Sequence, residues 1–429
     1  MTATALRDVS AGLLDGTLPV AAAEPMTPRF LCEQVAARSY FACSFANVTA
    51  FDTDDGLVLV DTGSFVLAEP TRQLLRRTIA APARVAVWTH GHVDHCFGVD
   101  GYEREPAAGG QRVRVIAHEA VSRRFARYRL TRGWNQAINA RQFRTGVQFP
   151  SEFREPDEIF ARDLEVRHGG RRFEVHHALG ETDDHAWVWV PDAGVVCTGD
   201  LFIWASPNCG NPQKVQRFPR EWAQALRAMD ALGAEVLCPG HGVPIWGAAA
   251  VHRALDDAAS LLESLVDQVL ALMNRGARLD EVLATVRAPD SLISRPYLAP
   301  VYDEPEFIVR NLYRLYGGWW DGNPAHLKPA RDAALAGELA ALAGGSARLA
   351  ARADELAATG GADELALACH LIELAAGASP GDPAIRAARA AIYKARAAGE
   401  RSLMARGVFS TAADEPPARL FASKPGNTV

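Results

Sequence analysis

Thr89-His90-Gly91-His92-Val93-Asp94-His95 packs three imidazoles and a carboxylate into the six residues from His90 to His95. Borderline-soft divalent ions such as zinc favour that mixture of donors, so the chemistry on offer is metal binding. His90 and His92 lie two apart, and in an extended segment their side chains point the same way. Asp94 and His95 follow after a turn and can face a second centre. The preceding Ala83-Arg84-Val85-Ala86-Val87-Trp88 reads as a buried strand, which puts the cluster on the loop leaving its carboxyl end. Open α/β sheets place their ligand sites there. Cys96 adjoins His95 and reads as a small residue packed beside the cluster rather than as a ligand.

One loop does not complete two metal centres, so further donors must come from later strand ends. Cys197-Thr198-Gly199-Asp200 closes a strand at 194–197, where Asp200 could bridge two ions. Cys238-Pro239-Gly240-His241-Gly242 closes another at 235–238, with His241 on a tight, glycine-flanked loop.

The elements that must position these residues fall into two regimes. From about Phe41 to Gly247, short β-branched runs alternate with Gly, Pro and Asp turns. Leu57-Val58-Leu59-Val60 reads as a strand followed by Asp61-Thr62-Gly63, and further strands are expected at 113–117, 173–176 and 186–190. Helical patterns lie at 69–79 and 219–232, which together suit a layered α/β sandwich. After Ala248, residues 250–274 and 279–286 carry apolar side chains at helical spacing. Residues 329–406 are rich in Ala, Leu, Glu and Arg, with glycine breaks at 343–346 and 359–362, and read as stacked helical hairpins. Such alanine helices need packing partners, within the chain or across a dimer. The expected division is 1–40 N-terminal extension, 41–247 catalytic domain, 248–410 helical domain and 411–429 flexible tail.

Composition bounds the function. A chain of 429 residues exceeds one ordinary domain, and 48% hydrophobic with 22% charged residues describes a soluble protein with ample core. A formal net charge of −6 argues against a general nucleic-acid surface. Apolar runs fall short of the ~20 residues that span a bilayer, so no membrane span is expected. The segment from Met1 to Glu24, with Arg7 its early cation and acids interrupting its apolar stretch, is a poor signal peptide. Cys32, Cys43, Cys96, Cys197, Cys209, Cys238 and Cys369 are scattered and lack CxxC pairs, which suits reduced thiols in the cytoplasm.

Taken in order, His90-x-His92-x-Asp94-His95, Cys197-Thr198-Gly199-Asp200 and Pro239-Gly240-His241-Gly242 closely resemble the metallo-β-lactamase superfamily, over roughly Phe41 to Gly247. The resemblance implies an αββα sandwich with two metals at one edge of its sheets. It implies that His90 and His92 hold the first ion, that Asp94, His95 and His241 hold the second, and that Asp200 bridges them. The family generally has a histidine in a Gly-His-Thr turn before the bridging residue. This chain has Ala178-Leu179-Gly180-Glu181-Thr182-Asp183-Asp184-His185, so Glu181 falls on the histidine position. His185 competes four residues later, and His176 and His177 precede it. Glu181 is favoured because a carboxylate ligates as imidazole does, and it would make the first site harder, leaving manganese or iron as alternatives to zinc.

A glutamate there resembles the alkylsulfatase branch, the type III sulfatases. Tyr297-Leu298-Ala299-Pro300-Val301-Tyr302-Asp303-Glu304-Pro305-Glu306-Phe307 and Leu315-Tyr316-Gly317-Gly318-Trp319-Trp320-Asp321-Gly322-Asn323-Pro324 resemble that branch's helical dimerisation domain, which implies a homodimer. Two departures stand out. Asp200 occupies a position where those sulfatases carry Glu, and the chain ends where they continue into a sterol-carrier-like domain.

The implied reaction is hydrolysis of a sulfate ester of a modest-sized alcohol by a hydroxide shared between two ions, with Asp94 or Asp200 orienting it. Cations and amides must hold the peripheral sulfate oxygens. Lys214 and Asn211 lead, followed by Asn208, Gln213, Arg217, Asn135, Asn139 and Arg141. Trp134, Trp204, Phe202, Phe143, Tyr297 and Tyr302 could wall the apolar part, although such aromatics are more often core. His118 reads first as a loop histidine and second as an acid. The alternatives are the same metal chemistry on a phosphate ester, thioester or lactone, and a non-catalytic metal-stabilised scaffold.

Overall fold

Apolar runs between residues 31 and 246 form two sheets in the computed structural model, which describes residues 5–20, 27–105 and 108–415. The first sheet carries its seven strands in chain order: β1 (Leu31–Ala36), β2 (Ser39–Cys43), β3 (Val48–Thr53), β4 (Gly56–Val60), β5 (Ala83–Val87), β6 (Arg114–His118) and β7 (Glu158–Phe160). β1 to β4 pair antiparallel, and β4 to β7 run parallel. The second sheet contains β8 (Asp163–His168), β9 (Arg171–His177), β10 (Ala186–Val190), β11 (Val195–Ile203), β12 (Val236–His241) and β13 (Ile245–Trp246). Within it only β11 and β12 are parallel neighbours.

The period of two along each strand sorts side chains into layers. Val58, Val60, Val85, Val87 and Ile116 join Phe173, Val175, Val188 and Val196 of the second sheet in one core. Leu57, Leu59, Ala86, Val115 and Ala117 face the other way, into a core shared with Leu74 and Leu75 of helix Ala68–Arg76 and with Val121 and Phe125 of helix Ala120–Leu130. Both faces of the parallel strands are thus covered, which is why they read as continuous apolar runs rather than alternating ones. Helices Pro219–Asp230 and Ala248–Met273 add Trp222, Leu226, Leu255 and Leu262 to the core containing the second sheet. The result is the expected α/β architecture, an αββα sandwich followed by helices.

Among the described residues, those up to 135 together with those of 148–319 form one compact unit, and 136–147 with 320–415 form another. The break expected at Ala248 therefore falls inside the first unit. In helix Ala248–Met273, Val251, Leu255, Ala258, Leu262, Leu265, Val269 and Leu272 recur three or four apart, and their stripe is buried in the sandwich core. Ile308, Val309 and Leu312 of helix Pro305–Gly317 join the same core. At the other end, the segment expected as an extension contributes Leu6, Val9 and Leu13 of helix Leu6–Leu14 to that core and the whole of β1 to the first sheet.

The second unit contains helices Asp332–Ala343, Ser346–Thr359, Ala362–Ala378, Pro383–Gly399 and Leu403–Asp414. Their breaks fall at the expected glycines, and Asp382 and Ser402 cap the last two through side-chain oxygens. Small residues such as Ala353, Ala368 and Ala375 let these helices pack closely around Ile372 and Ile392. The last helix runs to Asp414, past the Thr411 at which a tail was expected, and Ala413 is buried in this core. Residues 416–429, the rest of that tail, lie outside the described residues. Among the described residues no helix is long and apolar enough to cross a membrane.

Truncating Leu262, which is fully buried, tests whether helix Ala248–Met273 belongs to the sandwich core. Leu262→Ala is expected to lower stability by about 2–5 kcal/mol, read as a shifted urea midpoint.

Candidate metal centre

The three motifs meet where β5, β11 and β12 end. Trp88 extends β5 by donating its N–H to Ile116 O, and His90 to His95 turn over the strand end with His95 N–H on His92 O. Asp200, expected just past a strand end, lies within β11, and His241, expected on a loop, is the last residue of β12. β11 and β12 stay paired through Gly199↔Pro239 and Ile203↔His241, with shifts in register that turn Asp200 and His241 toward each other. A Cβ on Gly240 would sit 2.1 Å from Asp200 Oδ1, so a side chain there would displace the carboxylate. Glu181 comes from the turn joining β9 to β10.

Two donor groups result, each with its ligand atoms within 4.8 Å of one another: His90, His92, Glu181 and Asp200, and Asp94, His95 and His241. Glu181 Oε2 lies 3.6 Å from His90 Nε2 and 3.5 Å from His92 Nδ1. Asp94 Oδ2 lies 3.5 Å from His241 Nε2 and 3.7 Å from His95 Nε2. Asp200 stands between the groups, with Oδ2 3.9 Å from His90 Nε2 and 3.5 Å from His241 Nε2, and Oδ1 3.4 Å from His95 Nε2. Bonds of about 2.0–2.2 Å place the corners of a tetrahedral site about 3.3–3.6 Å apart, close to these separations. His90 Nε2 and His92 Nδ1 approach to 2.7 Å, one ring donating to the other.

Donor chemistry agrees with that geometry. Among the described residues, His95 Nε2, Glu181 Oε2 and Asp200 Oδ1 are buried without a hydrogen-bond partner. Buried polar atoms are normally satisfied, and three that face one centre from three strand ends fit metal ligands. The residues present therefore fit divalent ions.

His95, His241 and Glu181 are oriented from behind. Asp61 follows β4 with a left-handed backbone, φ 59°, which few non-glycine residues adopt. Its Oδ1 accepts Thr89 N–H at 2.7 Å, and its Oδ2 accepts the Thr89 hydroxyl at 2.9 Å and His95 Nδ1 at 2.8 Å. That bond directs His95 Nε2 to the centre. His241 Nδ1 donates to Phe45 O. Asp184 Oδ2 accepts Gly91 N–H at 3.0 Å, between His90 and His92, and Arg124 Nε at 2.7 Å; Arg124 also reaches Asp183 Oδ1 at 2.6 Å. Glu181 Oε1 accepts Arg217 Nη1 at 2.6 Å and the Asn208 amide, leaving Oε2 to the centre.

Burial sets the charges. It pushes His90 and His92 well below the usual imidazole range, helped by His95 for the first and by Arg124 and Arg217 for the second. Their lone pairs are therefore available near neutral pH. Burial opposes protonation of His95 as well, but the carboxylates of Asp200, Asp94 and Asp61 outweigh it and hold this imidazole well above its usual range. Asp200 resists the same burial through His241 and His95, which keep it well below the carboxylate range. Burial lifts Glu181 to about 7, with Arg217 opposing and Asp200 adding to the rise.

Other expected residues fall elsewhere. His185 stands outside both donor groups: its Nε2 accepts Asp200 N–H at 3.1 Å, and its ring stacks on His90. His176 pairs with Asp163, and His177 stacks on His118 at 3.7 Å. His118 Nε2 bonds Ala161 O. Cys96 is buried with Sγ on His92 O, and burial pushes its thiol well up, so it packs beside the loop. Arg217 and Asn208, expected to bind substrate, turn inward to Glu181 because Arg217 is almost fully buried and needs a carboxylate. Asn211 is buried and Lys214 half-buried on the same loop. Asn135 and Arg141 lie on helix Arg132–Phe143, the first buried and the second half-buried in the other compact unit. Trp204 and Tyr297 are core residues, bonded to Val243 O and Asp257 Oδ2, whereas the buried Tyr302 feels the charges of Glu181, Asp94 and Asp200. Sequence reading missed Asp61, Asp184 and Arg124; an aspartate between a strand and a glycine, and paired acids before His185, were the available signals.

Residues 42–241 match the metallo-beta-lactamase superfamily, and residues 278–417 match the alkyl sulfatase dimerisation family. Residues 42–241 are thus a metallo-β-lactamase-like region of αββα fold. With the second match, the chain is similar to alkylsulfatases. A linear primary-alkylsulfatase of Pseudomonas sp. is 27% identical over 320 residues, 68% of this chain and 60% of that one. An (R)-specific secondary-alkylsulfatase of Pseudomonas sp. is 28% identical over 316 residues, 66% of this chain and 47% of that one. The solved structure of the stereoselective inverting sec-alkylsulfatase Pisa1 from Pseudomonas sp. superposes with a TM-score of 0.81 at 24% identity, covering 90% of this chain and 65% of that one. The chain therefore spans between about half and two thirds of these relatives' lengths.

Two substitutions test the supporting layer. Asp61→Asn turns an amide toward His95 Nδ1 and is expected to weaken divalent-ion affinity by about 10–100-fold, measured by chelator competition. Arg124→Ala leaves Asp184 buried without its cation and is expected to cost about 3–5 kcal/mol at pH 7 in a denaturation series. Asp184 is held below the usual carboxylate range: burial raises it, and Arg124 outweighs that. Its stabilising contribution is therefore present above a pH of about 3.9 and lost as pH falls through the lower folded value.

Proposed function

We propose that this chain is a dinuclear metal hydrolase that cleaves alkyl sulfate esters to alcohol and sulfate. The observation that carries this reading is Glu181, which stands where the superfamily generally has histidine and turns one oxygen into the first donor group. The match to alkyl sulfatase dimerisation over residues 278–417 supports it. In this reading His90, His92 and Glu181 hold one ion, Asp94, His95 and His241 hold the other, and Asp200 joins them. Zinc suits the mixed imidazole and carboxylate set, with manganese or iron as alternatives at the more anionic first site. Bound divalent ions supply an activated water near neutral pH and polarise an ester oxygen.

The protein's own groups do the rest. Asp94 and Asp200 are proposed to accept a hydrogen bond from the attacking water and so orient it. Lys214 and Asn211 are proposed to hold the peripheral sulfate oxygens, with Asn135 a further contact. Burial and Arg217 push the Lys214 ammonium down to about 7, and the negative charge of an alkyl sulfate would draw its proton back. Arg217 and Asn208 are assigned to Glu181 instead. The chain is proposed to act as a homodimer through its helical region, where Leu335, Leu342 and Leu367 are exposed apolar side chains for a second copy to cover. Seven free cysteines suit a reducing compartment such as the cytoplasm.

Protein loaded with zinc or manganese is expected to release sulfate from a panel of primary and secondary alkyl sulfates, and His92→Ala to reduce release to background. No release from any member would overturn the reading, and release of phosphate from matched monoesters instead would reassign the ester. Because a ligand must be deprotonated to bind a metal, ion uptake at the first donor group should fall as pH drops through about 7, the value for Glu181. Glu181→Gln should remove that step from the pH profile of uptake.

A further inference from the structure

The segment 299–314, within the helical region by sequence, touches the loop carrying the partners of Glu181 at every turn. Ser206 N–H donates to Ala299 O at 2.9 Å. Asp303 is fully buried, and its two oxygens accept Gly210 N–H at 2.6 Å and Glu304 N–H at 2.7 Å. Asn311 Nδ2 donates to Arg217 O at 3.1 Å, and its Oδ1 accepts Gln216 Nε2 at 2.8 Å. Arg314 Nε reaches Gln216 Oε1 at 2.9 Å. The approach is close enough that a Cβ on Gly210 would lie 2.2 Å from Ile308 N and Phe307 C, so the loop backbone rests on the first turn of helix Pro305–Gly317.

What this loop holds is the outer oxygen of Glu181. Arg217 Nη1 bonds both Glu181 Oε1 and Asn208 O, and Asn208 Nδ2 bonds Glu181 Oε1 as well. Residues 206–211, the arginine and the glutamate are all buried, so the carboxylate has little freedom to reorient independently of that part of the loop. A fully buried aspartate costs free energy, and burial lifts Asp303 to about 7 against the pull of the Gly210 and Glu304 N–H groups and of Arg217. Packing alone would be served as well by an apolar side chain. An acceptor for loop N–H groups is a job that needs an oxygen.

We propose that Asp303 and Asn311 are positioning residues for the first metal site, acting through residues 206–217 to fix Arg217 and Asn208 and so the orientation of Glu181. The dimerisation-type segment thereby sets a ligand of the catalytic domain, within one compact unit. The inference rests on the metal reading above and not on the identity of the ester.

The test is zinc binding to full-length Asp303→Asn and Asn311→Ala, followed by chelator competition, total metal analysis and thermal melting, with Glu181→Gln and His241→Ala as references for loss at each site. Both variants should stay folded, lose affinity for one zinc by about 10–100-fold in the pattern of Glu181→Gln, and keep the ion that His241→Ala releases. Lower melting temperatures with both zinc affinities unchanged would show a merely structural role and overturn the proposal. Loss in the His241→Ala pattern would overturn it as well. If Asp303→Asn does not fold, Asn311→Ala decides alone, since it removes one side chain from the end of the same chain of contacts. A wild-type protein that binds two zinc ions but cleaves no alkyl sulfate would end the sulfatase reading while leaving this outcome intact.

Discussion

Seven donor side chains have to converge in a space from which water is largely excluded, and every other feature of the site answers that constraint. A buried polar atom without a partner costs about 1–3 kcal/mol, and here three are left bare on their inner side. Two of these are tied on their outer side, His95 to Asp61 and Glu181 to Arg217 and Asn208, and nearby His241 is tied to Phe45 O and the Gly91 backbone to Asp184. The two-sheet core provides the stiffness. Strands buried on both faces cannot slide by a residue without exchanging the side chains that fill the two layers, so the ends that carry Asp200 and His241 stay in register.

Glu181 shows how one exchange of side chain spreads through a structure. A carboxylate in place of an imidazole adds negative charge next to Asp200, and burial makes that charge expensive. Arg217 answers it at 2.6 Å, itself almost fully buried, and the arginine in turn requires a loop that fixes its carbonyl and its guanidinium. That loop leans on helix Pro305–Gly317. The departure from histidine, the inward arginine and the contact with the helical segment are therefore one electrostatic arrangement.

Much of this was legible in the chain. The parallel strands β4, β5, β6, β11 and β12 announced themselves as continuous apolar runs, and the breaks at 343–346 and 359–362 were marked by glycine. β1 and β8 were not, because Leu31–Ala36 and Asp163–His168 mix charges into short edge strands that carry no clean period. The domain limit at Ala248 followed a change in composition, whereas compactness follows burial, and helix Ala248–Met273 buries its stripe on the sandwich. Arg217 and Asn208 read as substrate contacts because a basic residue on a loop gives no sign of which way it faces.

What the sequence by itself determined is the set of donors. Histidines two apart, an aspartate before a third histidine, a later Gly-Asp and a Gly-His-Gly carry metal-ligand chemistry whatever encloses them, and Glu181 in a histidine's place marks the branch. Tertiary structure decided how each donor is aimed and what it is tied to. His185 sits four residues from Glu181, yet its ring nitrogen takes the Asp200 N–H, and Glu181 alone of the two faces the centre. Asp61 and Arg217, each more than thirty residues from the donor it orients, become its partner only through the fold. Residue type fixes what an atom can bond, but direction and burial are properties of the assembled sheets, and a ligand needs all three.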